Sequence, residues 1–191
     1  LLTDVEPVKR EFYQPQQGEE YKPYKPTENL SRAFLPVGDD NHRVRMTAST
    51  HNQSGLLRHS TPEAIENTKR LKKKLEKNLA EYTHFDYDEE NGADTLVVSY
   101  GITAKAAKEA IKKLRKDGKK VSLLIVKTLF PAPPDYLKIM DKYSKIVIAE
   151  ENLTGHYKEI LFGELPNQKV IGINGIAKLI TPQQIIKGVT Q

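Results

Sequence analysis

Residues 95–111 read TLVVSYGITAKAAKEAI, residues 120–140 read KVSLLIVKTLFPAPPDYLKIM, residues 145–161 read KIVIAEENLTGHYKEIL and residues 169–186 read KVIGINGIAKLITPQQII. In each stretch a short apolar run is followed by residues with helical spacing, so strand and helix alternate without interruption. Strict alternation indicates parallel strands that are joined by right-handed helical crossovers. The sequence therefore predicts a doubly wound, mainly parallel α/β sheet over residues 95–191.

The sequence also marks where these elements begin and end. Four strands are predicted, over 96–100, 121–126, 146–149 and 170–173. Thr103 is expected to cap the first helix of this region, and Gly118 is expected to end it in the left-handed conformation. Because proline suits the first position of a helix, Pro134 opens the second helix and Thr181-Pro182 opens the last.

Residues 1–60 are predicted to form an extended arm that contains one short strand. Five of the eleven prolines lie within the first 40 residues, and proline at this density disfavours a regular helix. Aromatic residues are expected to anchor the arm on another surface, namely Tyr13, Tyr21, Tyr24 and Phe34. The segment HRVRMTASTH (42–51) alternates polar and apolar residues, which predicts a half-buried strand.

Residues 61–94 are predicted to form a basic amphipathic helix and an acidic linker. Thr61 is placed to cap this helix, and Pro62 is placed to open it. Mostly apolar residues recur at steps of three and four and are expected to face the body of the protein; they are Ile65, Thr68, Leu71, Leu75, Leu79 and Tyr82. The segment THFDYDEENGAD (83–94) is acidic and ends in a turn pair, which indicates a linker.

Composition favours a soluble, cytoplasmic protein. The 191 residues include no cysteine, which excludes a disulfide, a thiolate nucleophile and a cysteine-ligated metal from this chain. No apolar run reaches the roughly 20 residues that span a bilayer. A formal charge of +5 raises the alternative of nucleic-acid binding. The lysine-rich runs at 69–77 and 112–120 lack interleaved aromatic residues, however, so they are interpreted as solvated helix faces.

Candidate ligand positions follow from the predicted fold, because such sheets bind ligands beyond the carboxyl ends of their strands. The residues at these ends are Ser99, Tyr100, Gly101, Thr103, Thr128, Glu150, Glu151, Asn152, Thr154, Gly155, Asn174 and Gly175. The turn from Gly101 to Thr103 could offer amides to an anion, which would suit a free-standing anion- or nucleotide-binding module. Glu150 and Glu151 could bind a metal or act as acid and base. Neighbours on a strand point to opposite faces, so a helix-capping role is favoured.

The same residues resemble a known family. The stretch TASTHNQSG (47–55), the strand-and-helix order of residues 95–191 and the ending LITPQQI (179–185) are similar to the C-terminal part of the alpha subunit of 2-oxoacid:ferredoxin oxidoreductases. That family has a Thr-Gly-x-x-His-Asp-x-x-Gly stretch, which His51 and Gly55 match, whereas Asn52 replaces the aspartate and Ala48 the first glycine. Transketolases and the beta subunits of 2-oxoacid dehydrogenases share the C-terminal α/β domain and are the alternative.

The resemblance implies an enzyme complex that oxidatively decarboxylates a 2-oxoacid, such as pyruvate or 2-oxoglutarate, to an acyl-CoA and passes electrons to ferredoxin. Thiamine diphosphate, Mg and iron–sulfur clusters are implied for the whole complex. The family's Tyr-Pro-x-Thr-Pro and Gly-Asp-Gly motifs are absent from this chain, so we assign it no catalytic, cofactor-binding or metal residue.

An assembly role is therefore expected. The implied partners are the pyrimidine-binding domain of the same subunit, the beta subunit, gamma and delta subunits, and ferredoxin, in a hetero-oligomer. Interface or ligand-proximal positions are predicted at His51, Asn52, Gly55, Gly101, Thr103, Glu150, Glu151 and Asn174. The first residue is leucine, and we expect the chain to begin inside a longer polypeptide.

Overall fold

The computed structural model describes Glu6, Pro7, Lys9 and residues 12–191. The chain divides into two units, with the boundary between Asn78 and Leu79. The N-terminal unit contains one long helix, α1 (Pro62–Lys77). The C-terminal unit contains, in chain order, a short 3-10 helix (Leu79–Tyr82), β1 (Phe85–Asp88), β2 (Thr95–Ser99), α2 (Thr103–Lys116), β3 (Val121–Val126), α3 (Pro134–Met140), β4 (Lys145–Glu150), α4 (His156–Phe162), β5 (Val170–Asn174) and α5 (Pro182–Thr190).

The C-terminal unit is built on a five-stranded sheet in the order β1-β3-β2-β4-β5. The pairs β2–β3, β2–β4 and β4–β5 are parallel, and β1 runs antiparallel to β3. Ser99 at the end of β2 lies opposite Ile125 of β3 and Ala149 of β4, so the carboxyl ends of the parallel strands meet along one edge. The prediction of a mainly parallel α/β sheet is confirmed.

Helices cover both faces of this sheet. On one face, Val97 and Val147 pack with residues of α2 and α5. On the other face, Leu96 and Ile148 pack with aromatic residues from α3, from the turn that follows it and from α4. Because the central strands are buried on both sides, they are apolar at nearly every position and not only at alternate ones. This arrangement makes the sheet doubly wound.

The acidic segment 83–94 is not simply a linker, because it contains the edge strand β1. In Phe85–Asp88 the two aromatic side chains are half-buried and the two aspartates are exposed, which is the alternation of a strand with one covered face. Phe85 packs edge-to-face on Tyr136 with ring centroids 5.5 Å apart. The aromatic residues therefore outweigh the acidic composition that indicated a linker.

The predicted strand over 42–51 is wrong. Within it only His51 makes a strand-like contact, an isolated antiparallel bridge to Leu57. The backbone of Thr47 instead bonds to a side chain. Its amide donates to the Tyr24 hydroxyl at 3.0 Å, and that hydroxyl donates to the Thr47 carbonyl at 3.3 Å. A backbone that is engaged in this way has no free groups to offer a sheet ladder.

Helix α1 begins as predicted but packs differently. The Thr61 hydroxyl accepts the Ala64 amide at 3.3 Å, and Pro62 is the first helical residue. Buried positions on α1 are Ala64 and Arg70, whereas Ile65, Leu71 and Leu75 are exposed. The expectation that the apolar stripe faces the body of the protein is therefore wrong, because hydrogen bonds draw an arginine inward instead.

The proline- and tyrosine-rich arm finds its buried contacts within the N-terminal unit. Tyr21 and Tyr24 are buried. The Tyr21 hydroxyl donates to the Ala33 carbonyl at 2.9 Å and accepts the Leu35 amide at 3.2 Å. Because both hydroxyls are hydrogen-bonded, both rings can be buried without leaving a polar atom unpaired.

No helix in the described part of the chain has the length and apolar character that crossing a membrane requires.

Candidate functional site

The loops beyond the carboxyl ends of the parallel strands bring together the predicted site residues of the C-terminal unit. Gly101 and Thr103 follow β2, Glu150 ends β4 and is followed by Glu151, and Asn174 ends β5. Glu150 pairs with Asn174 in the register of β4 and β5. The predicted clustering of these positions at one edge of the sheet therefore agrees with the strand order.

Glu150 is completely buried, and four hydrogen bonds occupy its carboxylate. The oxygens accept the backbone amides of Tyr157 and Lys158 at 2.8 and 3.1 Å. They also accept the Tyr100 hydroxyl at 3.2 Å and the Asn152 amide group at 2.6 Å. A carboxylate offers about four acceptor positions. Three of these bonds fall on Oε2 and one falls on Oε1. Glu150 is thus used mainly to stabilise the N-terminus of α4, where a negative charge is favoured.

Asn152 extends this network to the loop before α4. Its side-chain oxygen accepts the amides of Gly155 and His156 at 2.6 and 3.1 Å, while its nitrogen donates to Glu150. Glu151, in contrast, is exposed, so the two neighbouring glutamates do not converge on one atom. The arrangement supports a capped loop and provides no acid–base pair.

Asn174 lies against the same loop. A side chain at Gly155, which has φ +85°, would come within 2.9 Å of the Asn174 amide nitrogen. The Asn174 side-chain oxygen is buried without a hydrogen-bond partner in the described part of the chain. Glycine at position 155 therefore permits both the left-handed turn and the close approach of β5.

Contrary to the prediction from the sequence, Thr103 does not cap α2. Gly101 is left-handed (φ +56°), but Thr103 is the first residue of α2 and is buried, and no side chain caps this helix. The amides of Ala104 and Lys105 donate to the carbonyls of Gly101 and Ile102 at 3.3 and 3.1 Å. These bonds belong to the first turn of α2, and the amides of Gly101 to Thr103, which were predicted to bind an anion, are not among them.

Electrostatics at this edge keep its tyrosines neutral. Burial raises the pKa of the Tyr100 hydroxyl, and the nearby charge of Glu150 raises this pKa further. Burial likewise raises the pKa of Tyr157, helped by Tyr136 and Tyr100. Both tyrosines therefore keep their protons near neutral pH. Tyr100 donates to Glu150, whereas the buried Tyr157 hydroxyl has no hydrogen-bond partner in the described part of the chain.

The outer surface of these loops carries exposed apolar residues beside charged ones such as Glu151 and Lys178. Each of the four loops exposes at least one large hydrophobic side chain, and we call this set the apolar edge: Ile102, Leu129, Phe130, Leu153, Ile176 and Leu179. Exposed apolar residues that are grouped in this way mark contact surfaces more often than catalytic sites. The carboxyl edge therefore has the character of a protein contact.

The predicted residues of the N-terminal unit occupy one tight turn. Asn52 accepts the Leu56 amide on its side chain at 2.9 Å, and Gly55 is left-handed with φ +77°. A side chain at Gly55 would approach the Arg45 carbonyl oxygen to 2.8 Å. His51 is buried, with its ring centroid 3.6 Å from that of Tyr24. Each of these residues has a local structural role.

Sequence reasoning missed two residues beside His51. The Asn67 side-chain nitrogen lies 3.2 Å from His51 Nδ1, and its oxygen accepts Arg70. Asn67 and Arg70 are three residues apart on α1 and so lie on one face of the helix. Nothing in the sequence indicated that this face, and not that of the neighbouring lysines, would be hydrogen-bonded. Among the described residues, no group of three or more histidine, aspartate or glutamate side chains is arranged to hold a metal.

Comparison with known proteins identifies relatives of this chain. Residues 93–180 match the family model for the pyruvate:ferredoxin oxidoreductase core domain II. The chain is 30% identical over 126 residues to the 2-oxoglutarate synthase subunit KorA of Methanocaldococcus jannaschii, covering 66% of this chain and 34% of that protein. It is 32% identical over 85 residues to the ketoisovalerate oxidoreductase subunit VorB of Methanothermobacter marburgensis, covering 44% of this chain and 23% of that protein. The chain thus spans about a third of the length of this KorA relative.

A solved structure shares the fold. The 2-oxoglutarate:ferredoxin oxidoreductase of Magnetococcus marinus, determined with 2-oxoglutarate, coenzyme A and succinyl-CoA bound, superposes with a TM-score of 0.80. The match covers 98% of this chain and 33% of that chain at 24% identity. This structure shares the fold of the chain. The family match over residues 93–180 and the named relatives confirm the resemblance to 2-oxoacid:ferredoxin oxidoreductase subunits and favour it over the transketolase alternative.

Proposed function

We propose that this chain, which is related to 2-oxoacid:ferredoxin oxidoreductase subunits and contains their core domain II, is a non-catalytic part of an alpha subunit and serves subunit assembly. The complex that it joins would oxidatively decarboxylate a 2-oxoacid to an acyl-CoA and pass the electrons to ferredoxin. Support comes from the match over residues 93–180 and from relatives that are named as subunits of such enzymes.

The engagement of the Glu150 carboxylate in structural hydrogen bonds is the observation that carries the non-catalytic role. Glu150 is the buried acid at the edge where α/β sheets bind ligands, and it accepts four hydrogen bonds from Tyr100, from Asn152 and from the first turn of α4. Among the described residues no group of acids or histidines is arranged to hold a metal, so we infer that this edge does not hold thiamine diphosphate with its metal. We place that cofactor, Mg and the iron–sulfur clusters elsewhere in the complex.

The apolar edge supports an assembly role. Its six exposed hydrophobic side chains come from all four loops at one end of the sheet, and exposed apolar residues of this size are enriched at protein interfaces. We propose that it contacts other parts of the oxidoreductase: the pyrimidine-binding domain of the same subunit, the beta subunit or the smaller subunits.

Two measurements test this function together. Isothermal titration of the chain with thiamine diphosphate and Mg should show no saturable heat, and co-expression with a beta subunit should yield a complex that co-elutes in gel filtration. Micromolar binding of thiamine diphosphate to the chain alone would contradict the non-catalytic role. Failure to co-elute with any subunit of the enzyme would contradict the assembly role.

A further inference from the structure

Arg70 on α1 is a buried cation that is only partly satisfied. The residue is 8% exposed. Its Nε and Nη2 donate to the Asn67 side-chain oxygen at 3.1 and 3.0 Å, and its Nη1 donates to the Leu30 carbonyl at 2.6 Å. A guanidinium carries five N–H donors. One N–H on each terminal nitrogen therefore has no acceptor in the part of the chain that the structure describes.

No negative charge balances this guanidinium. Among the described residues no carboxylate forms an ion pair with Arg70. Burial lowers the pKa of Arg70, and the positive charge of Arg32 lowers this pKa further. A buried charge without a partner costs several kcal/mol, so a site of this kind is suited to an anion that supplies the missing charge.

The guanidinium borders a cavity of about 310 Å³ in the N-terminal unit, which is near the lower end of the range for small-ligand pockets. Tyr24, Pro26 and Leu30 contribute apolar walls, and Lys73 also lines the cavity. The cavity thus combines apolar walls with a guanidinium that still has free donors, which suits a carboxylate on a short carbon chain.

Two acids also line this cavity, and neither forms an ion pair with Arg70 in the described part of the chain. Glu66 forms an ion pair with Lys73 at 3.4 Å. Glu63 accepts the Gln53 backbone amide at 2.9 Å. Both side chains therefore have local roles, and neither is bonded to the guanidinium.

We propose that this cavity binds a carboxylate, which accepts the two remaining Nη hydrogens of Arg70, while Lys73 offsets the charge of Glu66 and keeps that acid from repelling the ligand. Two parallel N–H donors match the two oxygens of a carboxylate and make a strong, directional contact. The carboxylate belongs either to a free small dicarboxylate or to an acidic side chain of a polypeptide, and the same contacts serve both.

Nuclear magnetic resonance of the whole chain tests this site directly. The Arg70 Nε–H signal is followed during titration with succinate, with the capped tripeptide acetyl-Gly-Glu-Gly-amide, with inorganic phosphate and with sodium chloride at matched ionic strength. We expect a saturable shift with succinate or with the peptide, and whichever binds more tightly identifies the source. A shift that sodium chloride reproduces, or phosphate binding of equal strength, would overturn the carboxylate site.

Variants separate the site from general surface charge. Lys73→Met should weaken carboxylate binding up to about five-fold, the upper range for one partly exposed ion pair. Lys72→Met is the matched control, because Lys72 is an exposed lysine next to Lys73 in sequence that does not line the cavity. Equal weakening by the two variants would refute the proposal.

Arg70→Lys examines the bidentate contact itself. The substitution keeps the charge but loses the two parallel donors, so we expect binding to fall about ten-fold. Circular dichroism checks that the variant is folded. If the folded variant binds succinate and the peptide as tightly as the original chain, Arg70 does not hold the carboxylate. The Lys72 and Lys73 comparison decides the matter independently if Arg70→Lys does not fold.

Discussion

The carboxylate of Glu150 accepts the backbone amide of Tyr157 at 2.8 Å, where strand β4 passes into helix α4. Its other hydrogen bonds come from the Lys158 amide, the Tyr100 hydroxyl and Asn152. A single buried side chain thus fixes the N-terminus of a helix, the end of the neighbouring strand and the intervening loop. The residue that looks most catalytic in the sequence is a structural one.

Glu150→Gln should destabilise the C-terminal unit by about 2–3 kcal/mol, because the new amide group would face donors where acceptors are required. Urea unfolding followed by circular dichroism measures the loss. The matched control is Glu151→Gln, which should stay within about 0.5 kcal/mol since Glu151 is exposed. Equal effects of the two substitutions would contradict the role assigned to Glu150.

Tyrosine ionisation provides a prediction about pH. The chain has nine tyrosines and no tryptophan, so absorbance near 295 nm reports phenolate directly. Burial raises the pKa of several tyrosines of the C-terminal unit, namely Tyr87, Tyr100, Tyr136 and Tyr157. In the folded chain these groups should ionise later than a free tyrosine, whose pKa is about 10.

The sign of the effect on stability follows from these shifts. Below pH of about 10 these tyrosines are neutral in both states, so their contribution to folding is fully present. Above that pH the unfolded chain releases protons that the folded chain retains, so the free energy of unfolding should fall as pH rises. An absorbance titration in which all nine tyrosines ionise together near pH 10, with the fold intact, would contradict the prediction.

Gly55→Ala should destabilise the N-terminal unit for two reasons. Gly55 has φ +77°, and a Cβ would lie 2.8 Å from the Arg45 carbonyl oxygen. Gly18→Ala separates these causes, because Gly18 has φ +82° with open space around it. We expect a loss of about 1 kcal/mol at position 18 from the backbone alone and a larger loss at position 55, measured by thermal unfolding. A smaller loss at position 55 would show that the close approach to Arg45 is not real.

The apolar edge can be tested by a charge substitution. Phe130→Glu should reduce co-elution with the partner subunits at least ten-fold without affecting the fold, because it places a charge in the proposed contact and interface aromatic residues often contribute 2 kcal/mol or more. Leu165→Glu is the control: Leu165 is 83% exposed, compared with 74% for Phe130, and lies in the loop before β5, at the opposite end of the sheet. Gel filtration with the partner subunits measures both, and equal losses would argue against a contact at this edge.

The parallel strands could be predicted from the sequence, because burial on both faces requires a run of apolar residues. The inner positions of β2 and β4 are all apolar, and so are five of the six positions of β3. Pro134 and Thr181-Pro182 mark helix starts that the structure confirms. β1 was missed because half of its residues are aspartates that face outward. Composition over a window cannot distinguish a charged edge strand from a linker, although the alternation of aromatic and acidic residues was visible.

The candidate site was harder to predict, since its features depend on hydrogen bonds between distant residues. The clustering of Gly101, Glu150 and Asn174 followed from fold rules alone, but the hydrogen bonds to Glu150 depend on the positions of Tyr100 and of α4. Arg70 was counted as one more basic residue on a solvated helix. Its burial depends on the Leu30 carbonyl, 40 residues away in the chain, and no local pattern reveals such a partner.

The antiparallel strand β1 has a consequence for how this protein can associate. It is four residues long, lies at one border of the sheet and carries exposed aspartates at alternate positions. A short, negatively charged border disfavours pairing with a strand of another molecule. Growth of a continuous sheet across two copies is therefore discouraged on that side, which directs association towards loops and helices and protects the isolated chain from fibre-like aggregation there.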